Sequence, residues 1–244
     1  MRPFLLISIR ADDDAADNEY EAFVRFSGLS HRTLHRLRLE QESSGDLDPA
    51  DYAGIMLGGG PFNASDPYES KSPAQIRAEK ELAALLGTVI DEDSWFLGAC
   101  YGIGTIGTAI GAVVDRRWPE PISAVPVALS DAGLADPLMG VLPPHFDAFV
   151  GHKEAISSLP PHAVLLASSP ACPVQAFRVG NHVYATQFHP ELDVEGLCTR
   201  ITAYRHHGYF DPAEHDSLIA MARRSVVTDP PKLLPRFVEL ARAG

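Results

Sequence analysis

No apolar run in the chain approaches the roughly 20 residues of a membrane-spanning helix. The opening stretch, MRPFLLISIRADDD, sets a short apolar run before acids and lacks the long apolar region and small-residue cleavage site of a secretory signal. Basic residues are scarce: 20 Lys and Arg stand against 32 Asp and Glu, a formal net charge of −12. That deficit argues against binding nucleic acid or an anionic membrane, because basic side chains supply that attraction. Cysteine is scarce too. Cys100, Cys172 and Cys198 are an odd set without close pairing, which argues against a disulfide framework and for a reducing cytoplasm. Internal repeats and low-complexity tracts are absent. With 45% hydrophobic and 21% charged residues among 244, a substantial core is expected, in one domain over 1–244.

Apolar runs alternate with amphipathic segments, the pattern of α/β layering. FLLISI reads as a strand buried on both faces, followed by a helix from about Asn18 to Leu29. HRTLHRLRLE reads as strand, and YAGIMLGGGP as strand running into a glycine turn. Ser72, Pro73 and Gln75 mark an N-cap with a capping box, opening a helix to about Leu86. SWFLGA is the next strand, with a helix after Cys100. AVVDRR and ISAVPVAL read as antiparallel partners joined by a tight turn. AVLLAS, VQAFRVG and HVYATQF read as three strands, the last two a hairpin through VGNH. After Pro190 the chain reads as helix through about His207, and then as two more helical stretches. The segment from about 193 to 244 is thus a helical extension.

The stretch WFLGACYGIGTIG admits two readings. Gly102, Gly104 and Gly107 fit the G-x-G-x-x-G turn that holds a dinucleotide pyrophosphate. That turn follows the first strand of its unit, and an acid about 20 residues on ends the next strand. Here the glycines lie mid-chain, Asp115 comes too early, and Glu120 sits in WPEP rather than at a strand end. Helix–strand packing accounts for the glycines. The second reading takes Gly98-Ala99-Cys100-Tyr101-Gly102 as a nucleophile elbow, a sharp strand-to-helix turn that holds the side chain exposed. Cys100 at a helix N-terminus would have its thiolate favoured by the macrodipole. Cys172 and Cys198 read as small buried hydrophobes.

A thiol nucleophile needs a base and an acid to orient it. ATQFHPEL offers His189 and Glu191 at the end of an apolar strand. Residues two apart in extended structure share a face, and Pro190 keeps His189 out of helical geometry. Glu191 could then accept from one imidazole nitrogen, leaving the other for the thiol. An oxyanion hole needs two N–H groups. Tyr101, directly after the nucleophile, offers one, and Gly60 in Gly58-Gly59-Gly60-Pro61 is the best source of the other.

LGGGP, GACYG and QFHPE, in that order, together with the weaker block VGHKEAISSLPPHAVLLASSPACPVQAF, resemble the class I glutamine amidotransferases, and within them the glutaminase domain of GMP synthase. The resemblance spans roughly residues 50–192. It implies a flavodoxin-like, mostly parallel sheet flanked by helices, with a small antiparallel β segment and extra C-terminal helices. It also implies a triad of Cys100, His189 and Glu191, oxyanion donors at Gly60 and Tyr101, and substrate contacts around Gly59, Gly104 and His152. The implied reaction hydrolyses glutamine through a glutamyl thioester and releases ammonia, with no metal and no cofactor. Two positions depart from the family. Gly104 stands where relatives usually carry a substrate-binding glutamine, and Glu154 stands where they carry aspartate. With no synthetase domain expected in the chain, ammonia made here would need a separate acceptor enzyme, such as a synthetase subunit, or would be lost. Three alternatives stay open: a free-standing γ-glutamyl amine or peptide hydrolase, a non-catalytic amidotransferase-like binding protein, and the less favoured dinucleotide binder.

Overall fold

The computed structural model describes residues 2–205 and 210–244. Strand β1 (Phe4–Ser8) leads into helix α1 (Asp13–Ser27) and strand β2 (Leu34–Arg38). Strand β3 (Gly54–Leu57), helix α2 (Pro73–Asp91), strand β4 (Phe96–Ala99) and helix α3 (Tyr101–Ala109) follow. The middle of the chain forms β5 (Val113–Asp115), β6 (Glu120–Leu129), α4 (Asp131–Ala135), β7 (His145–His152) and β8 (Ala155–Ser158). Strands β9 (Ala163–Ser168), β10 (Ala176–Val179) and β11 (Val183–Thr186) complete the sheets. Helices α5 (Val194–Ala203), α6 (His215–Arg224) and α7 (Leu233–Ala243) end the chain.

Among the described residues, nine strands form one sheet in the order β2-β1-β3-β4-β11-β10-β9-β6-β7, and β5 and β8 form a separate pair. From β2 to β11 neighbours run parallel; from β11 to β7 they run antiparallel. This is the expected flavodoxin-like α/β class, with the antiparallel strands continuing the same sheet. The continuous apolar run of β1 is explained by its two faces. Phe4 and Leu6 pack into one core layer with Phe23 and Phe237. Leu5 and Ile7 pack into the other with Leu82 and Leu86 of α2. A third cluster joins α5 and α6 to Phe149 of β7.

Several boundaries moved. Helix α1 starts earlier than expected because Asp12 caps it, accepting from Ala15 N–H at 2.9 Å; Gly28 ends it in the left-handed conformation at φ 71°. Ser72 caps α2 by accepting from Gln75 N–H, but the Gln75 amide donates to the Asn63 carbonyl instead of closing a capping box. Helix α2 runs past Leu86 because Val89 continues the buried face of Leu82, Leu85 and Leu86. The expected β5–β6 hairpin does not form: β5 pairs with β8, and β6 lies between β7 and β9. Asp115 turns the chain aside by accepting from Arg117 N–H and from Ser157 Oγ. Helix α5 ends at Ala203, and the expected end near His207, with His206 itself, lies outside the described residues. No helix among the described residues is long and apolar enough to cross a membrane.

Candidate active site

The carboxyl ends of β1, β3, β4 and β11, neighbours in the parallel half of the sheet, open on one place. Ligands of open α/β sheets gather outside such ends. After β1 comes Arg10, after β3 the glycines Gly58 to Gly60, after β4 Cys100, and after β11 His189 and Glu191.

Cys100 is the N-cap of α3 and holds φ 54°, ψ −96°, a conformation that non-glycine residues rarely adopt outside strained functional turns. The turn is tight: a Cβ at Gly98 would lie 2.9 Å from Gly102 Cα. Cys100 N–H donates to the Thr186 carbonyl at 2.8 Å, which ties the turn to β11. The sulfur therefore stands at a helix N-terminus, where the dipole favours negative charge. The glycine pattern of α3 serves packing, since a Cβ at Gly107 would press to 2.7 Å from Ile156 Cδ1.

The His189 Nδ1 and Glu191 Oε1 atoms are 2.9 Å apart, with both side chains buried. Cys100 lies near enough to the same imidazole to interact with it electrostatically. Burial works against the imidazolium, but Glu191 and then Cys100 outweigh it and raise the His189 pKa to about 9. Burial likewise opposes the Glu191 carboxylate, and His189 with Arg200 overcomes it, holding Glu191 well below the usual carboxylate range. The glycine turn approaches this pair closely: a Cβ at Gly59 would fall 2.7 Å from His189 Cε1 and 3.2 Å from Cys100 Cβ. A Cβ at Gly60 would instead meet Ile9.

Sequence reasoning missed what lies behind the imidazole. Arg200 of α5 reaches Glu191 Oε1 at 2.8 Å as an ion pair, and Glu19 of α1 at 3.7 Å. Arg10 hydrogen-bonds Glu19 at 2.8 Å and donates to the Tyr204 hydroxyl at 3.0 Å. All these charged side chains are buried. The glycine at 58 leaves room for Glu19, whose Oε2 would lie 2.5 Å from a Cβ there. One signal was legible: Arg200 sits three residues after Leu197 and four before Tyr204, on the apolar stripe of its helix, where a cation needs a buried partner.

Cys100 stands between two hollows. A cleft of about 340 Å³ is lined by Pro61, Phe62, Tyr101, Pro119, Ile122 and Gln187, among others. A small cavity of about 60 Å³ lies on the His189 side, bounded by Arg10, Arg200 and Tyr204. Gly60 and Cys100 border both. His152 lines the cleft, but its ring nitrogens are engaged: Nδ1 with the Glu154 carbonyl at 2.8 Å and Nε2 with Glu120 at 2.9 Å. Gln175 and Ser169 also donate to Glu120. Cys172 lies close to His152 and Glu120, a set with metal-ligating atoms within 4.8 Å of one another. Burial pushes the Cys172 thiol up to about 12, and the hydrogen bonds around Glu120 make the cluster a braced wall of the cleft. Gly104, one turn along α3 from Cys100, has Glu154 where a side chain would go.

Residues 26–208 match the glutamine amidotransferase class-I family. The chain is 32% identical over 146 residues to the glutamine amidotransferase-like protein YfeJ of Salmonella typhimurium, covering 59% of this chain and 58% of that one. It is 29% identical over 174 residues to the glutamine-hydrolyzing GMP synthase subunit of Methanoculleus marisnigri, covering 69% and 84%. It spans only 25% of the glutamine-hydrolyzing GMP synthase of Hamiltonella defensa, at 28% identity over 145 residues, or 57% of this chain. In fold it is similar to a glutamine amidotransferase crystal structure from Thermotoga maritima, with a TM-score of 0.78 at 20% identity over 100% of both chains. One from Methylobacillus flagellatus gives 0.73 at 19% identity over 98% and 95%. The chain belongs to the class-I glutamine amidotransferase family.

Proposed function

We propose that the chain hydrolyses the side-chain amide of glutamine through a thioester on Cys100 and releases ammonia to a separate acceptor enzyme. The half-buried Cys100 beside the buried His189–Glu191 pair, at the carboxyl ends of adjacent strands, carries this reading. With His189 protonated, Arg10, Arg200 and His189 are three buried cations against the two carboxylates of Glu19 and Glu191. In the proposed mechanism the Cys100 proton passes to His189, which leaves the sulfur as the attacking thiolate. The sulfur attacks the amide carbon, and the carbonyl oxygen takes the charge against the N–H groups of Gly60 and Tyr101. The imidazolium gives its proton to the departing nitrogen, so ammonia leaves and a glutamyl thioester remains. His189 then takes a proton from water, hydroxide attacks the thioester, and glutamate and the thiolate are released with the proton back on His189. Glu191 orients the ring throughout.

The relative from M. marisnigri is a subunit named for glutamine hydrolysis, which supports a synthetase partner for this chain. A second reading, hydrolysis of γ-glutamyl amines or peptides, is favoured by the missing side chain at Gly104 and by the prolines, Phe62 and Ile122 along the cleft. One assay tests both. Ammonia or amine release is measured from glutamine and from several γ-glutamyl amides, with wild type and Cys100→Ser. Turnover lost by on the order of 10⁴-fold or more in the variant is expected. Preference for γ-glutamyl amides selects the second reading. No turnover of any substrate, with no labelling of Cys100 by a glutamine-shaped diazoketone, leaves a binding protein. The sequence argues for a cytoplasmic setting, and the reaction needs neither metal nor cofactor.

A further inference from the structure

Glu154 lies between β7 and β8, is 6% exposed, and faces α3. A Cβ at Gly104 would fall 2.6 Å from its Oε1 and 3.6 Å from Ala64 Cβ. The two carboxylate oxygens accept from two successive backbone N–H groups, Oε1 from Ala64 at 2.8 Å and Oε2 from Ser65 at 2.7 Å. A carboxylate that grips both N–H groups at once sets orientation as well as distance. Those amides belong to the loop between β3 and α2. The same loop carries Pro61, Phe62 and Asn63, which wall the cleft beside Cys100. Phe62 packs edge-on against Tyr101, with ring centroids 6.1 Å apart. The glycine and the glutamate are therefore one device: the missing side chain on α3 leaves the space in which the carboxylate reaches the loop.

We propose that Glu154 is a positioning residue that sets substrate specificity, by clamping the Ala64–Ser65 backbone over Gly104 and so placing the loop wall that receives the substrate beyond its reacting amide. The proposal rests on the hydrolase reading above. Glu154 does not touch the reacting atoms. Its loss acts on substrate capture and leaves the thiol–imidazole pair in place.

The test uses the full chain with Glu154→Ala, Glu154→Gln, Gly104→Ala and the double variant Gly104→Ala/Glu154→Ala. KM for the preferred substrate is expected to rise about tenfold or more in Glu154→Ala while kcat changes by less than about threefold. Glu154→Gln keeps one acceptor oxygen and is expected to fall between. Gly104→Ala drives a methyl into the carboxylate and raises KM on its own. The double variant matches Glu154→Ala rather than the product of the two single effects, because both act on one contact. Two readouts do not need turnover. Hydrogen exchange at the Ala64 and Ser65 amides speeds up in Glu154→Ala. Labelling of Cys100 by the glutamine-shaped diazoketone slows, whereas labelling by iodoacetamide does not. A wild type that neither turns over any substrate nor takes the diazoketone overturns the hydrolase reading and this proposal with it. An active wild type whose Glu154→Ala keeps its KM within about twofold, or loses kcat alone, overturns the proposal and leaves the hydrolase reading standing. Should Glu154→Ala fail to fold, Glu154→Gln and Gly104→Ala decide by the same KM criterion.

Discussion

A methyl group at Gly59 has no room: it would meet His189 Cε1 at 2.7 Å and Arg10 Nη2 at 3.1 Å. Under the proposed mechanism, Gly59→Ala is expected to displace the imidazole from Cys100 and to lower kcat/KM by roughly 10²-fold, the usual effect of a small misplacement at a reacting pair. A far-ultraviolet dichroism spectrum like that of wild type would show that the sheet is intact. His189 supplies a pH dependence with a definite sign. Its folded-state pKa is raised to about 9, above an ordinary value of about 6.5. The stability it contributes is full below about pH 6.5 and is lost as pH rises through about 9. The gap in melting temperature between wild type and His189→Gln should therefore shrink between those values. A gap that widened with pH would contradict the protonated pair. Under the proposed mechanism, kcat should also fall as pH rises through about 9, because the imidazolium that protonates the leaving nitrogen is lost.

At the scale of elements, α5 does more than cap the sheet. It delivers Arg200 to Glu191 and, at longer range, to Glu19 of α1. Replacing Arg200 by Met leaves Glu191 with His189 alone and Glu19 with Arg10 alone, and removing one member of a buried ion-pair network costs about 3–5 kcal/mol. Denaturant unfolding of Arg200→Met should show a loss of that order, and hydrolysis should fall with it. The elements read from sequence differ in how well they were legible. β1, β3, β4 and β11 were visible because strands buried on both faces are continuous apolar runs, and the elbow at Cys100 because its glycines bracket the turn. The β5–β6 hairpin was misread because the chain between them looks like a turn, and pairing depends on Asp115 bonding to Arg117 and Ser157. Strands β7 and β8 were missed. Only their residues from Val150 on belong to a motif block, and most of the partners that make them strands lie far away in sequence.

For the molecule as a whole, the last helices belong to the core. Phe237 of α7 is fully buried and packs edge-on against Phe4 of β1, with ring centroids 6.4 Å apart. Phe237→Ala should cost about 3–5 kcal/mol, read as a lower midpoint in denaturant for the entire chain and not as a separate early transition. An unfolding curve with two steps would place α7 outside the cooperative unit. The acidic surface, net charge −12, should steer a partner through a basic face. Any partner-dependent gain in glutamine turnover should therefore weaken as salt rises.

Order along the chain and residue chemistry were enough to group Cys100 with His189 and Glu191, to point at the glycine turn, and to single out Gly104 and Glu154 as departures. Local signals carry that much: a strand ending in a bracketed cysteine, a His-Pro-Glu just past a strand, and a run of glycines, although the His-Pro-Glu expected to be extended bends into a turn that Leu192 N–H closes on the His189 carbonyl. Only the tertiary structure decided that Arg200, Arg10 and Glu19 stand behind the imidazole, and that Glu154 fills the space above Gly104 to hold a loop 90 residues away in sequence. A buried charge is tolerated only beside its partner, and a glycine matters only through what approaches it. Both conditions depend on which distant segments the fold brings into contact, and spacing along the chain does not encode that directly.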